Sequence, residues 1–215
     1  MTSTYLTEIA RLPFTAQLLA KFIKRKGALP SNALEVYTDL RTNLDNSSLL
    51  NLEETAWELF KVNQTELLPD PKLPKEFCDA AVEAGVLTRR ARDGKEFFRF
   101  VHERIHRLFV AYYLDRQDEL PLVDWYGKAG SGLGRGYWTD VLEFWGQIKG
   151  QHAAEGGEVE REAYRGFIRK VAEFSQSIFA QRLYVQYDRL SRVFPALYEP
   201  EFVRWAALTL AKAEE

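Results

Sequence analysis

The chain has 215 residues, 46% hydrophobic and 28% charged, with a net charge of −2 and a pI near 6.0. That length supports one large domain or two to three small ones, and the near-neutral balance gives no overall drive toward nucleic acid or an anionic membrane. The single cysteine, Cys78, excludes an intramolecular disulfide and a cysteine-based zinc finger, and fits a reducing compartment. No apolar run reaches the length of a membrane span, and Glu8 and Arg11 interrupt the N-terminal stretch where a signal peptide needs an apolar core. The expectation is a cytoplasmic, globular protein.

A short helical turn is expected over residues 5–10, stopped at Leu12 and Pro13. Pro13 suits the first position of a helix, where its missing N–H costs nothing. The helix over 14–26 has Leu18, Leu19, Phe22 and Ile23 on one face; its last turn carries Lys24, Arg25 and Lys26, and Gly27 closes it. Late positive charge of this kind reads as a solvated helix end. Pro30 and Ser31 open a second helix with Leu34, Tyr37 and Leu40 inward. Asn51, with Glu54 three residues on, reads as the N-cap of a helix running to Leu67. Residues 69–74 read as an extended linker, and Pro74 starts a helix over 76–84 that Gly85 ends. Two strands, 86–90 and 97–101, follow across the turn-forming pair Asp93 and Gly94.

The stretch FRFVHERIHRLFVAYYL, residues 98–114, switches periodicity in its middle. Phe98 and Phe100 alternate with Arg99 and Val101 as in a half-buried strand. From His102 the apolar residues Ile105, Leu108, Phe109 and Tyr112 take helical spacing. His102 therefore stands at a helix start, where unpaired N–H groups and the dipole attract phosphate. The same residues, His102, Glu103, Arg104, Ile105 and His106, spell H-E-x-x-H, the zinc metallopeptidase pattern. Arg99, Arg104 and Arg107 flank it, which is electrostatically poor for a dication. A third ligand would have to be Glu119 or Glu143, and neither sits in a ligand motif.

Helix, helix, hairpin, helix in this order resembles a winged-helix module, many of which bind DNA. The hairpin carries Arg89, Arg90, Arg92, Lys95 and Arg99 against Asp93 and Glu96. The helix that would enter the major groove, however, has Lys75, Glu76, Asp79 and Glu83 as its polar positions, which are mostly acidic and repelled by phosphates. Glycines 127, 130, 132, 134 and 136 match neither the phosphate-loop nor the dinucleotide spacing, so 121–136 reads as a connector. Beyond it Val141, Leu142, Phe144, Trp145 and Ile148 form one apolar helix face. A polar break containing His152 as a loop residue follows over 151–157. Phe167, Ile168, Val171, Phe174, Ile178 and Phe179 continue at helical spacing. Leu183, Tyr184, Tyr187, Leu190 and Phe194 follow, with a last helix after Pro200. These aromatics read as core.

Two stretches carry a family resemblance. ARLPFTAQLLAKFIKRKGALPSNALEVYTDL resembles the lid segment "NP-LLL … LP … ELY" of NACHT-type NTPases of the STAND class, the group that includes NOD-like receptors and antiphage relatives. FRFVHERIHRLFVAYYL resembles that family's "F-x-H-x-x-F-Q-E-Y-L-A-A-x-Y-L" at the end of the winged helix. AAVEAGVLTRRARDGKEFFRF and YWTDVLEFWGQI are similar to the segments on either side, so the likeness spans about residues 5–150. It departs at His106 and Arg107, where the family usually has Gln-Glu.

The resemblance implies a mainly α protein: a helical lid (1–50), a winged-helix domain with a small β-hairpin wing (51–116) and a C-terminal helical domain (117–215). It implies that Pro13 packs on adenine and that His102 contacts a phosphate in the closed, ADP-bound state. The P-loop, its Mg²⁺-binding acid and the sensor arginine have no counterpart in these residues, so the chain alone is not expected to hydrolyse ATP. No catalytic or metal-binding residue is assigned. ADP or ATP is expected only together with a P-loop NTPase domain, upstream or in trans. Oligomerisation on activation is a further implied partnership, whereas nucleic acid and membrane are not expected as partners. The alternatives are a winged-helix DNA-binding protein and, behind it, the zinc peptidase.

Overall fold

The computed structural model describes residues 13–30, 33–42, 44–117 and 135–174. Among these, seven helices and one three-stranded antiparallel sheet make the protein mainly α. The chain divides into two compact units, Met1–Tyr113 and Leu114–Glu215. The turn expected over 5–10, most of the connector, Glu119 and the apolar segments beyond Phe174 lie outside the described residues.

In the first unit, α1 (Pro13–Lys26) begins on its proline and buries Leu18 and Phe22. Gly27, at φ 69°, ends it, its N–H reaching the Ile23 carbonyl at 2.8 Å. The basic last turn is partly engaged, because Arg25 and Lys26 both pair with the buried carboxylate of Asp39. Asp39 lies on α2 (Ala33–Arg41), whose Leu34, Tyr37 and Leu40 point inward as their spacing requires. Helix α3 (Asn46–Lys61) departs from expectation at both ends. Its N-cap is Asp45, whose Oδ2 accepts from the Ser48 N–H at 3.2 Å. Asn51 lies inside the helix, and its side-chain amide donates to the Lys72 carbonyl at 2.9 Å. The helix stops at Lys61, and Asn63 then takes φ 54°, a left-handed turn that asparagine tolerates.

The chain next forms β1 (Glu66–Leu67), a strand so short that only its pairing defines it. Residues 69–74 are a tight turn and not an extended linker. Asp70 Oδ1 accepts from the N–H groups of both Lys72 and Leu73 at 2.8 Å, and this turn buries Leu73. Helix α4 (Lys75–Glu83) starts after Pro74 and ends through Gly85 at φ 79°. It carries Cys78, whose thiol burial pushes up to about 11. Strands β2 (Leu87–Arg92) and β3 (Lys95–Phe100) pair across a two-residue turn, with Asp93 at φ 52° and Gly94 at φ 72°. Both positive angles match the twist of a tight hairpin. Strand β3 is central, in the order β1-β3-β2, and its Phe98 and Phe100 face the core. Helix α5 (Glu103–Asp115) follows and buries Ile105, Leu108, Phe109 and Val110 completely, worth about 1.5–3 kcal/mol for each large apolar side chain.

The second unit contains α6 (Arg135–Glu155) and α7 (Glu158–Phe174), folded back on each other so that Trp145 and Phe167 pack at 4.9 Å. Val141, Leu142, Phe144 and Ile148 are buried beside Trp145, as their spacing predicts. The break is shorter than expected. His152 belongs to the last turn of α6, with Nδ1 lying 3.5 Å from Asp115, a residue of the same unit at the end of α5, and only Gly156 and Gly157 interrupt the helices. A Cβ on Gly156 would come within 2.7 Å of the His152 carbonyl oxygen, so the reversal requires glycine. The Gly157 N–H donates to Glu160 Oε2 at 2.8 Å, closing the first turn of α7. Buried Arg165 pairs with Glu158 and Glu162, and its hydrogen bond holds the Glu158 carboxyl below the usual carboxylate range.

Candidate nucleotide-contact site

His102 is the second of the two residues between β3 and α5. Val101 ends the ladder with its N–H on the Val86 carbonyl at 3.0 Å, and the His102 carbonyl then accepts from the Ile105 and His106 N–H groups at 3.0 and 3.2 Å. The imidazole caps the helix. Its Nδ1 accepts from the Arg104 N–H at 3.1 Å, doing what a serine or aspartate does at most N-caps. An accepting Nδ1 fixes the neutral tautomer with the proton on Nε2.

The other face of this arrangement comes from α1. Phe14 follows Pro13 directly, and its ring lies on the His102 ring with centroids 4.4 Å apart and planes 6° apart. The stack puts the first turn of α1 beside the first turn of α5. The two site residues read from the sequence are thus brought to one place, Pro13 exposed at the helix start and His102 half-buried at the cap. Arg104, whose N–H the cap receives, turns its guanidinium toward the buried Tyr37 ring on α2, 5.9 Å from the ring centre.

The second histidine of the H-E-x-x-H pattern has a different environment. His106 is buried between β3 and α3, stacked on Phe100 at 4.7 Å and meeting the edge of Phe60 at 6.3 Å. Its Nε2 donates to the Ala56 carbonyl at 2.8 Å, since a carbonyl can only accept. Burial holds this imidazole down to about 4, so it is neutral at physiological pH. Glu103 is exposed and pairs with Arg107. His102, Glu103 and His106 therefore serve a cap, a surface ion pair and a core hydrogen bond. Among the described residues, no three His, Cys, Asp or Glu side chains gather at metal-ligating range.

A buried polar network behind the site was not anticipated from the sequence. Arg41 Nε donates to Oε1 of the fully buried Glu53 at 2.8 Å, and its guanidinium lies 4.2 Å from the centre of the Tyr112 ring. The Tyr112 hydroxyl shares a hydrogen bond with Thr38 Oγ1 at 2.8 Å. These contacts tie α2, α3 and α5 together, so the helices flanking Phe14 and His102 are held in one body. The available signal was Glu53 among the apolar residues of α3, a charge that must find a partner when buried.

A scan against protein-family models finds no match to this chain, and a search of curated proteins finds none either.

Proposed function

We propose that this chain supplies the regulatory lid and winged helix of a nucleotide-controlled switch, with Pro13 and His102 as its nucleotide contacts. In this reading residues 1–50 are the lid, 51–116 the winged helix and 117–215 a further helical domain. The observation that carries it is the Phe14–His102 stack, which sets the proline-bearing start of α1 against the histidine that caps α5. The strand order β1-β3-β2, with a hairpin directly after α4, supports the winged-helix part.

The chemistry follows from the tautomer. Nε2 carries the imidazole proton and would donate to a terminal phosphate oxygen of ADP, while the exposed pyrrolidine of Pro13 would pack on the adenine. A P-loop domain, upstream or in trans, must cradle the phosphates, because this sequence contains no G-x-x-x-x-G-K-[ST] loop. ADP then holds the module closed and exchange for ATP releases it, because only ADP lets His102 engage the terminal phosphate.

The test joins the chain to a cognate P-loop NTPase domain and measures nucleotide release. His102→Ala should lose about 1–3 kcal/mol from the ADP state only, giving faster ADP release with ATP affinity unchanged. Pro13→Ala should weaken both nucleotides alike, because adenine is common to them. Unchanged ADP release in the His102 variant would leave that residue as a helix cap and end the proposal.

A further inference from the structure

Five cations cluster along the hairpin in sequence, and the fold sorts them onto two faces. Arg89 lies on the same side as Phe98, directly across the ladder from it, and is tied to Asp79 of α4 and to Glu96. The other four share the opposite, outer face. Arg90 pairs with Phe97, Arg92 with Lys95, and Thr88 with Arg99, so strand alternation puts all six side chains on one side. Across β1, Glu66 pairs with Arg99 and is the acid on this face, lying 3.5 Å from Arg92. The outer face thus carries four positive charges against one negative. They run from the turn to the base of the hairpin and are not confined to its tip. Phe97 lies on the central strand amid them, half-buried, with the Arg92 guanidinium 5.0 Å from its ring centre.

We propose that this outer sheet face, Arg90, Arg92, Lys95 and Arg99 around the ring of Phe97, binds single-stranded nucleic acid. The cations supply phosphate contacts, and the ring with its guanidinium neighbour supplies a platform for an unstacked base. A duplex has no use for Phe97, because its bases are already stacked. An acidic peptide would use the cations and leave the ring idle. The helix that would read a major groove is unsuited to it: Glu76 and Glu83 are exposed on α4, and Asp79 is held by Arg89. The inference is independent of the nucleotide reading, since it uses none of the residues at the α1–α5 contact.

The experiment titrates the full chain with a labelled mixed-sequence single-stranded oligonucleotide, the matching duplex, and polyglutamate as competitor. Single-strand binding should be tighter than duplex binding, and its logarithm should fall with log salt at a slope of about −2 to −3, each neutralised phosphate contributing about −0.7. Arg90→Glu with Arg99→Glu should weaken it by more than about tenfold. Phe97→Leu, which keeps apolar volume but removes the stacking face, should weaken it about fivefold or more. Arg89→Gln should leave it nearly unchanged. No binding at low salt, a preference for duplex, indifference to Phe97→Leu, or displacement by polyglutamate at equal charge would each overturn the proposal, the last in favour of an acidic protein partner.

Discussion

His102 and His106 stand four residues apart in one motif, yet the surroundings of the two rings have almost nothing in common. His102 lies half-buried at the start of α5, its Nδ1 capping the helix and its ring laid on Phe14. His106 is in the core one turn further on, its Nε2 on a backbone carbonyl of α3 and its ring against Phe100. A spacing of four places two residues on one helix face only when both are in the helix. His102 precedes the first helical residue, so the regular spacing does not apply to it. The difference teaches that a pattern written for a helix interior changes meaning when the helix begins inside it.

The largest effect expected from breaking this contrast is at His106. His106→Ala removes a buried hydrogen bond to the Ala56 carbonyl and a stacked ring. Equilibrium urea unfolding should show a loss of about 2–4 kcal/mol. A loss under about 0.5 kcal/mol, the range of an ordinary surface substitution, would mean that this histidine does not hold α3 to α5.

The same ring gives a pH dependence with a defined sign. Burial lowers its value from 6.5 to about 4, so the unfolded chain binds this proton more readily than the folded one. Stability from this group is complete above about 6.5, falls as pH drops below that value, and levels off once pH passes below about 4. The full span is on the order of 3 kcal/mol. His106→Gln retains an N–H donor for the Ala56 carbonyl and cannot titrate, so its unfolding free energy should lose this slope between those two pH values. An unchanged slope in the glutamine variant would assign the dependence to other groups.

What was legible in the sequence divides along the same line. Apolar spacing gave the buried faces of α1, α2, α5 and α6, because each is fixed by local period and end residues such as Gly27. The hairpin turn was legible in Asp93 and Gly94, whose positive φ angles few other pairs adopt. Features created by distant pairing were not. Strand β1 exists because Glu66 and Leu67 meet Arg99 and Phe98, and nothing in two residues announces that. Asn51 has the pattern of a cap, but Asp45 takes that role six residues earlier, and 69–74 reads as extended because the Asp70 turn depends on one side chain. His152 looked like a loop residue because its neighbours are polar, although the helix continues to Glu155. In the sequence the five hairpin cations form one undivided group. Only the register with β3 separates Arg89 from the four that share the outer face.

The smallest effect, and the one that sharpens the contrast most, lies at the Phe14–His102 stack. His102→Ala should cost about 1 kcal/mol through the lost cap, several-fold less than the loss at His106. His102→Asn should recover most of that stability, because a shorter side chain with an acceptor oxygen can cap the same N–H, yet it has no aromatic face for Phe14. A double-mutant cycle isolates the ring contact. Phe14→Ala and His102→Ala should show a coupling of about 0.5–1.5 kcal/mol. The same coupling should be found when asparagine replaces alanine at position 102, because both substitutions remove the ring. If the asparagine cycle gives no coupling while the alanine cycle does, then the cap and not the stack connects α1 to α5. The start of α1 would then have no specific hold on the histidine, and the observation that carries the nucleotide reading would lose its energetic basis.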